Sequence, residues 1–248
     1  MKHTQYLCIF TCILFSTLFT WAQPTIFLIG DSTMSNKKNS EINPERGWGQ
    51  MLPQYFLKEI NIENHAKNGR STKSFIDEGR WLDVKKNIKP GDYVFIQFGH
   101  NDSKAYDPTR YVNPLTGYRS NLQHFVLESR ALGAMPVLFT SVARRNFNED
   151  GVLVDTHGLY PLMVHQLANE LDVMLIDLQL ISEQLILAFG LEDSKKMYLH
   201  FAPGEHPYYP DGKSDNTHFS AFGASLIAQK VVQDLAKMDV LTAYILTE

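Results

Sequence analysis

The sequence predicts an α/β fold, a three-layer α/β/α sandwich built on a five-stranded parallel sheet. Five short runs are apolar almost throughout and rich in Val, Ile and Phe, as strands buried on both faces are. Longer stretches with helical spacing separate them, the alternation that builds a parallel sheet covered by helices. Clusters of Gly, Asn, Asp and Ser stand just after several of the runs, and in open α/β sheets functional groups gather at the carboxyl ends of strands.

The first strand is Thr25-Ile26-Phe27-Leu28-Ile29, and a helix is expected over 48–58. Residues 60–66 supply the second strand and 74–87 a helix. The turn Pro90-Gly91-Asp92 announces the third strand, Tyr93-Val94-Phe95-Ile96-Gln97-Phe98. A helix over 118–132 leads to Pro136-Val137-Leu138-Phe139-Thr140. Another over 158–171 leads to Val173-Met174-Leu175-Ile176-Asp177, and a last helix covers 221–238. No internal repeat, low-complexity segment or linker intervenes. Residues 23–248 therefore read as one domain, and about 225 residues suffice for an ample core.

Residues 1–22 have the build of a secretory signal peptide: a short start with Lys2, an apolar run over 6–21, and the small Ala22 before Gln23. The run is short for a spanning helix, which needs about 20 residues. The expectation is an exported protein, periplasmic or extracellular, with no membrane attachment after cleavage. Cleavage would remove Cys8 and Cys12, both cysteines of the chain. That excludes a catalytic Cys, a disulfide framework and a Cys-based zinc site. Losing Lys2 takes the formal charge from −4 to −5 with no basic run, so nucleic acid is not an expected partner.

Four polar clusters carry chemistry. Gly30-Asp31-Ser32-Thr33-Met34 follows the first strand, where a serine hydroxyl can face a cleft; such residues also make ordinary strand-ending turns. Asn64 and Asn68-Gly69-Arg70-Ser71 follow the second, and Gly69 allows a close backbone approach to a ligand oxygen or simply a turn. Gly99-His100-Asn101-Asp102 follows the third, and the Asn101 amide is either a donor to a developing oxyanion or a cap. Asp215-Asn216-Thr217-His218 precedes the last helix. A serine needs a base to take its proton, imidazole suits neutral pH, and a carboxylate three residues earlier in a tight turn can orient it. A surface Asx turn is the alternative. Asp155 and His157 imitate this pair in mid-chain without matching context.

Taken together and in this order, the clusters resemble the four signature blocks of the SGNH (GDSL-type) hydrolases, spanning nearly all of 23–248. The resemblance implies a flavodoxin-like sandwich, with Ser32 as nucleophile, His218 as base and Asp215 orienting it. It implies an oxyanion hole from the Ser32 and Gly69 N–H groups and the Asn101 amide, with no cofactor and no metal. The wording Gly30-Asp31-Ser32-Thr33-Met34, Gly69-Arg70-Ser71-Thr72-Lys73-Ser74-Phe75, Gln97-Phe98-Gly99-His100-Asn101-Asp102 and Asp215-Asn216-Thr217-His218-Phe219 is similar to the rhamnogalacturonan acetylesterases. It implies an enzyme that removes acetyl groups from acetylated pectic polysaccharide.

Lys37, Lys38, Lys67, Arg70, Lys73 and Arg80 cluster near the expected cleft and would steer an anionic polymer, if they are not solvated faces or ion-pair partners. Arg70 and His100 are candidate substrate contacts. Tyr208 and Tyr209, in the Pro- and aromatic-rich loop 201–212, could stack on sugar or merely pack that loop. Three other readings stand beside this one: an esterase of acetylated xylan, another glycan or a lipid; a carbohydrate-binding protein without catalysis; and a metal-dependent hydrolase using His100, Asp102, His200, His206, Asp215 and His218, whose spacing matches no metal motif.

Overall fold

The computed structural model describes residues 23–246, so the expected signal peptide lies outside the described residues. The strands are β1 (Thr25–Gly30), β2 (Glu45–Arg46), β3 (Asn61–Asn64), β4 (Tyr93–Gln97), β5 (Met135–Phe139), β6 (Met174–Ile176), β7 (Tyr198–Phe201) and β8 (Lys213–Ser220). The helices are α1 (Trp48–Met51), α2 (Thr72–Asp77), α3 (Arg80–Lys85), α4 (Arg119–Ala131), α5 (Tyr160–Glu170), α6 (Leu178–Asp193) and α7 (Ala221–Lys237).

Five strands form one parallel sheet in the order β3-β1-β4-β5-β6. Counted along the chain within this sheet, that order is the flavodoxin-like one, which reverses direction between its first and third strands. The crevice at such a switch point is where ligands bind, and here it lies between the ends of β1 and β4.

Side chains alternate across each strand, so every buried run feeds two cores. Ile26, Leu28, Phe95, Val137 and Phe139 face Trp48 and the Ile227, Val231 and Leu235 stripe of α7. Phe27, Ile29, Val94, Ile96 and Leu138 face Phe75, Trp81, Phe125 and Leu167 from α2, α3, α4 and α5. The predicted strands thus find helices on both faces, as all-parallel sheets require.

The departures from the predicted elements have local causes. The helix expected over 48–58 stops after α1 and tightens into a 3-10 turn, Leu52–Tyr55, where Pro53 has no N–H to continue the ladder. The helix expected over 74–87 begins earlier, because Ser71 and Ser74 form a reciprocal capping box, and it breaks at Gly79, whose φ is +70°. Helix α6 was not predicted: Leu180, Leu187 and Leu191 are exposed on it, so no single apolar stripe marks it.

A second, three-stranded sheet, β2-β8-β7, was also not predicted. Its central strand β8 carries the Asp215–His218 segment, expected as a turn. The pairing shifts between Tyr198↔Phe219 and Leu199↔Asp215, leaving residues 216–218 as a bulge in β8. A bulge of this kind re-aims a side chain. The Asn216 carbonyl accepts from the Arg145 N–H at 2.9 Å, which fixes the bulge from behind.

Candidate active site

The first cluster ends β1 in a turn. Asp31 is buried, and its Oδ1 accepts from the Thr33 N–H and hydroxyl, both at 2.9 Å, so the Asp side chain shapes the bend that follows. Its Oδ2 meets His100 Nδ1 at 3.2 Å. Burial alone would raise Asp31, but the His100 and Thr33 contacts win and hold it at about 2. Burial lowers His100, working against the pull of the Asp31 carboxylate. His100 does not line the cleft: it is buried against Asp31, its ring edge-on to His157 at 4.7 Å between centroids. Its expected contact with substrate is replaced by a supporting one.

Ser32 sits at the floor of the crevice. Its Oγ lies 2.9 Å from His218 Nε2, although the residues are 186 positions apart in the chain. His218 Nδ1 lies 2.9 Å from Asp215 Oδ2, while Asp215 Oδ1 accepts from the Thr217 and His218 N–H groups at 2.8 and 3.0 Å. The local fold therefore prepares both ends of the carboxylate. Burial works against its charge, but the bonds from His218 and Thr217 outweigh that and hold Asp215 well below the usual carboxylate range. Asp215 thus stays ionised through neutral pH, fixing the imidazole tautomer that leaves Nε2 free to accept the Ser32 proton.

Gly69 and Asn101 share the cleft with Ser32 and His218. Gly69 holds φ +78°, a conformation that disfavours any side chain. Among the described residues neither the Ser32 nor the Gly69 N–H has an acceptor. Asn101 donates one amide proton to the Arg70 carbonyl at 3.1 Å and keeps the second. The next residue, Asp102, is fully buried and accepts at Oδ1 from the Thr72 N–H and hydroxyl at 2.9 and 2.6 Å. It ties the loop after β4 to the start of α2, and burial pushes its carboxyl up to about 7.

The cleft measures about 330 Å³, and Glu45, Lys104, Leu199, Tyr209 and Lys213 complete its walls. Tyr209 lines it, while Tyr208 packs edge-on against Tyr209 at 5.0 Å. Arg70 lines an adjoining groove, where its Nε bonds both oxygens of Glu78 and its Nη1 bonds the Asn68 carbonyl. Arg80 shares Glu78, so both arginines are ion-pair partners.

Lys37 corrects the sequence reading. Expected as a steering cation, it is buried beneath Ser32, where its Nζ donates to the Ser32 carbonyl at 2.5 Å and to Asn68 Oδ1 at 2.8 Å. A 2.8 Å ion pair with Glu45 completes its shell. Glu45, Lys104 and Lys213 escaped the sequence reading because none stands in a signature cluster. His157 is buried, with its N–H capped by Asp155 Oδ1, away from the cleft. Among the described residues no group of three or more His, Cys, Asp or Glu side chains is placed to hold a metal ion.

The chain matches a known family along most of its length. Residues 28–226 match the GDSL-like lipase/acylhydrolase family model. The chain belongs to this family. It is accordingly a carboxylic ester hydrolase. It is 44% identical over 213 residues to the rhamnogalacturonan acetylesterase RhgT of Bacillus subtilis, covering 86% of this chain and 90% of that one. The crystal structure of the Bacillus subtilis protein YxiM superposes with a TM-score of 0.72 at 28% identity, over 88% of this chain and 57% of that one. The acetylxylan esterase Axe2 of Geobacillus stearothermophilus, at 20% identity, shares the fold with a TM-score of 0.62 over 86% and 95% of the two chains.

Proposed function

We propose that the chain is an exported serine esterase that removes O-acetyl groups from acetylated rhamnogalacturonan through an acetyl-serine intermediate. The observation that carries the mechanism is the continuous Asp215–His218–Ser32 relay opening on a cleft that also holds Gly69 and Asn101. The substrate rests on the 44% identity to RhgT together with the cleft-wall cations Lys104 and Lys213, the latter also 3.7 Å from Asp215, whose charge suits a uronate polymer.

In this reading His218 Nε2 takes the Ser32 proton as Oγ attacks the acetyl carbonyl. The carbonyl oxygen gains the negative charge and accepts from the Ser32 N–H, the Gly69 N–H and the free amide proton of Asn101. Collapse breaks the bond to the sugar oxygen, which leaves with the proton from His218. Water then enters and gives its proton to His218, and its oxygen attacks the acetyl-serine. The second collapse releases acetic acid as His218 returns its proton to Ser32 Oγ. Preorganised donors are the main source of rate in such acyl transfers, and each is worth about 10²–10³ in kcat.

The test is acetate release from a panel of acetylated polysaccharides by wild type and Ser32→Ala. The proposal expects preference for acetylated rhamnogalacturonan over acetylated xylan, and loss of that activity in the variant. Preference for xylan refutes the substrate; near-normal turnover by Ser32→Ala refutes the mechanism.

A further inference from the structure

The geometry points to Glu45 as a specificity-determining residue: its carboxylate accepts a hydrogen bond from a free hydroxyl of the sugar beside the scissile acetyl group. The inference rests on the sugar-ester reading above and names a recognition element of the same cleft.

Glu45 is a built feature of the cleft wall. One carboxylate oxygen is held by Lys37 at 2.8 Å, and only 17% of its side chain is exposed. Its backbone is fixed as well: the Glu45 N–H donates to Asn43 Oδ1, the carbonyl accepts from Arg46 Nη1, and the residue pairs with Ser220 of β8. Strand β8 also carries Asp215 and His218. The ammonium that holds Glu45 is the one that donates to the Ser32 carbonyl and to Asn68, next to Gly69. One buried cation therefore sets the distance from this carboxylate to the nucleophile turn and to the expected oxyanion donors.

A carboxylate offers about four acceptor positions, and Lys37 occupies one oxygen. Among the described residues the second oxygen has no donor, and Glu45 lines the cleft beside Ser32 and His218. A sugar alcohol carries hydroxyls next to the ester; an aryl or simple alkyl alcohol has none. A carboxylate acceptor held in a fixed position discriminates between a ligand that supplies the proton and one that does not. Lys37 keeps the site near electrical balance, so an anionic sugar is not turned away.

The experiment is a cycle of two changes. The kcat/KM of wild type and Glu45→Gln is measured on an acetylated methyl glycoside with a free hydroxyl next to the ester, and on its deoxy analogue. The deoxy change should cost wild type roughly ten- to hundredfold, the worth of a hydrogen bond to a charged acceptor. Glu45→Gln should cost a comparable factor on the hydroxylated ester, and the two losses should not multiply. Losses that multiply, or a deoxy change that costs wild type less than about threefold, overturn the inference. If Glu45→Gln fails to fold, Glu45→Asp, which keeps the charge and draws the carboxylate back, takes its place in the cycle. Run on xylosides and on galacturonides, the cycle separates the two claims: non-multiplying losses on xylosides alone refute the pectic substrate and leave Glu45 in its role.

Discussion

Asp102 gives the structure a stability that should fall as pH rises. Its carboxyl is fully buried, with Oδ1 committed to Thr72 and Oδ2 without a partner among the described residues. In the fold it holds its proton up to about 7, against 3.8 when unfolded. Below about pH 4 both states carry the proton and the residue contributes in full. Between about pH 4 and 7 the native state binds more protons than the unfolded chain, so stability is lost as pH rises, and the loss is complete above 7. At 1.36 kcal/mol for each pKa unit, its size is about 4 kcal/mol. Asp102→Asn keeps an acceptor for Thr72 and removes the titration. Urea unfolding across this range should show the variant's stability as the flatter function of pH, with the variant ahead by a few kcal/mol at about pH 9. Parallel curves for the two proteins would refute the reasoning, because they would mean that the buried carboxyl titrates alike in both states.

Three further outcomes follow from the same contacts. Gly69→Ala places a side chain at φ +78° and shifts the loop that presents its N–H; kcat for aryl acetate hydrolysis should fall about 10²–10³-fold with a small change in KM. Lys37→Met strips a buried charge from Glu45 and leaves the Ser32 carbonyl only the 3.3 Å bond from the Ser35 hydroxyl; chemical denaturation should report a loss of about 3–5 kcal/mol. Asp215→Asn leaves the packing intact but favours the wrong imidazole tautomer, and kcat should drop about 10⁴-fold in stopped-flow or steady-state assays.

The parallel sheet was legible because its strands are buried on both faces and so read as continuous apolar runs, as in β1 and β4. The β2-β8-β7 sheet was not. Its strand β8 is polar at every position but Phe219, and β2 has two residues, so neither shows an apolar period. Its pairing is set by contacts distant in sequence. The residues of the relay could be named from their clusters, because Ser32 follows the apolar run of β1 and Asp215 and His218 stand three residues apart shortly before α7. Burial could not. Lys37 and Lys38 are neighbours of one chemical type, yet Lys37 lies under Ser32 and Lys38 is exposed, a difference decided by Glu45 and Asn68 arriving from elsewhere in the chain. Glu45 was invisible for the same reason.

The most direct test of the account is where an acylating probe attaches. Wild type treated with a serine-directed organophosphate and digested should carry the label on the peptide containing Ser32. Labelling should be stoichiometric with loss of esterase activity and should slow by orders of magnitude in His218→Ala. A label on another residue, or full esterase activity with Ser32 modified, would contradict the relay drawn by the two 2.9 Å contacts.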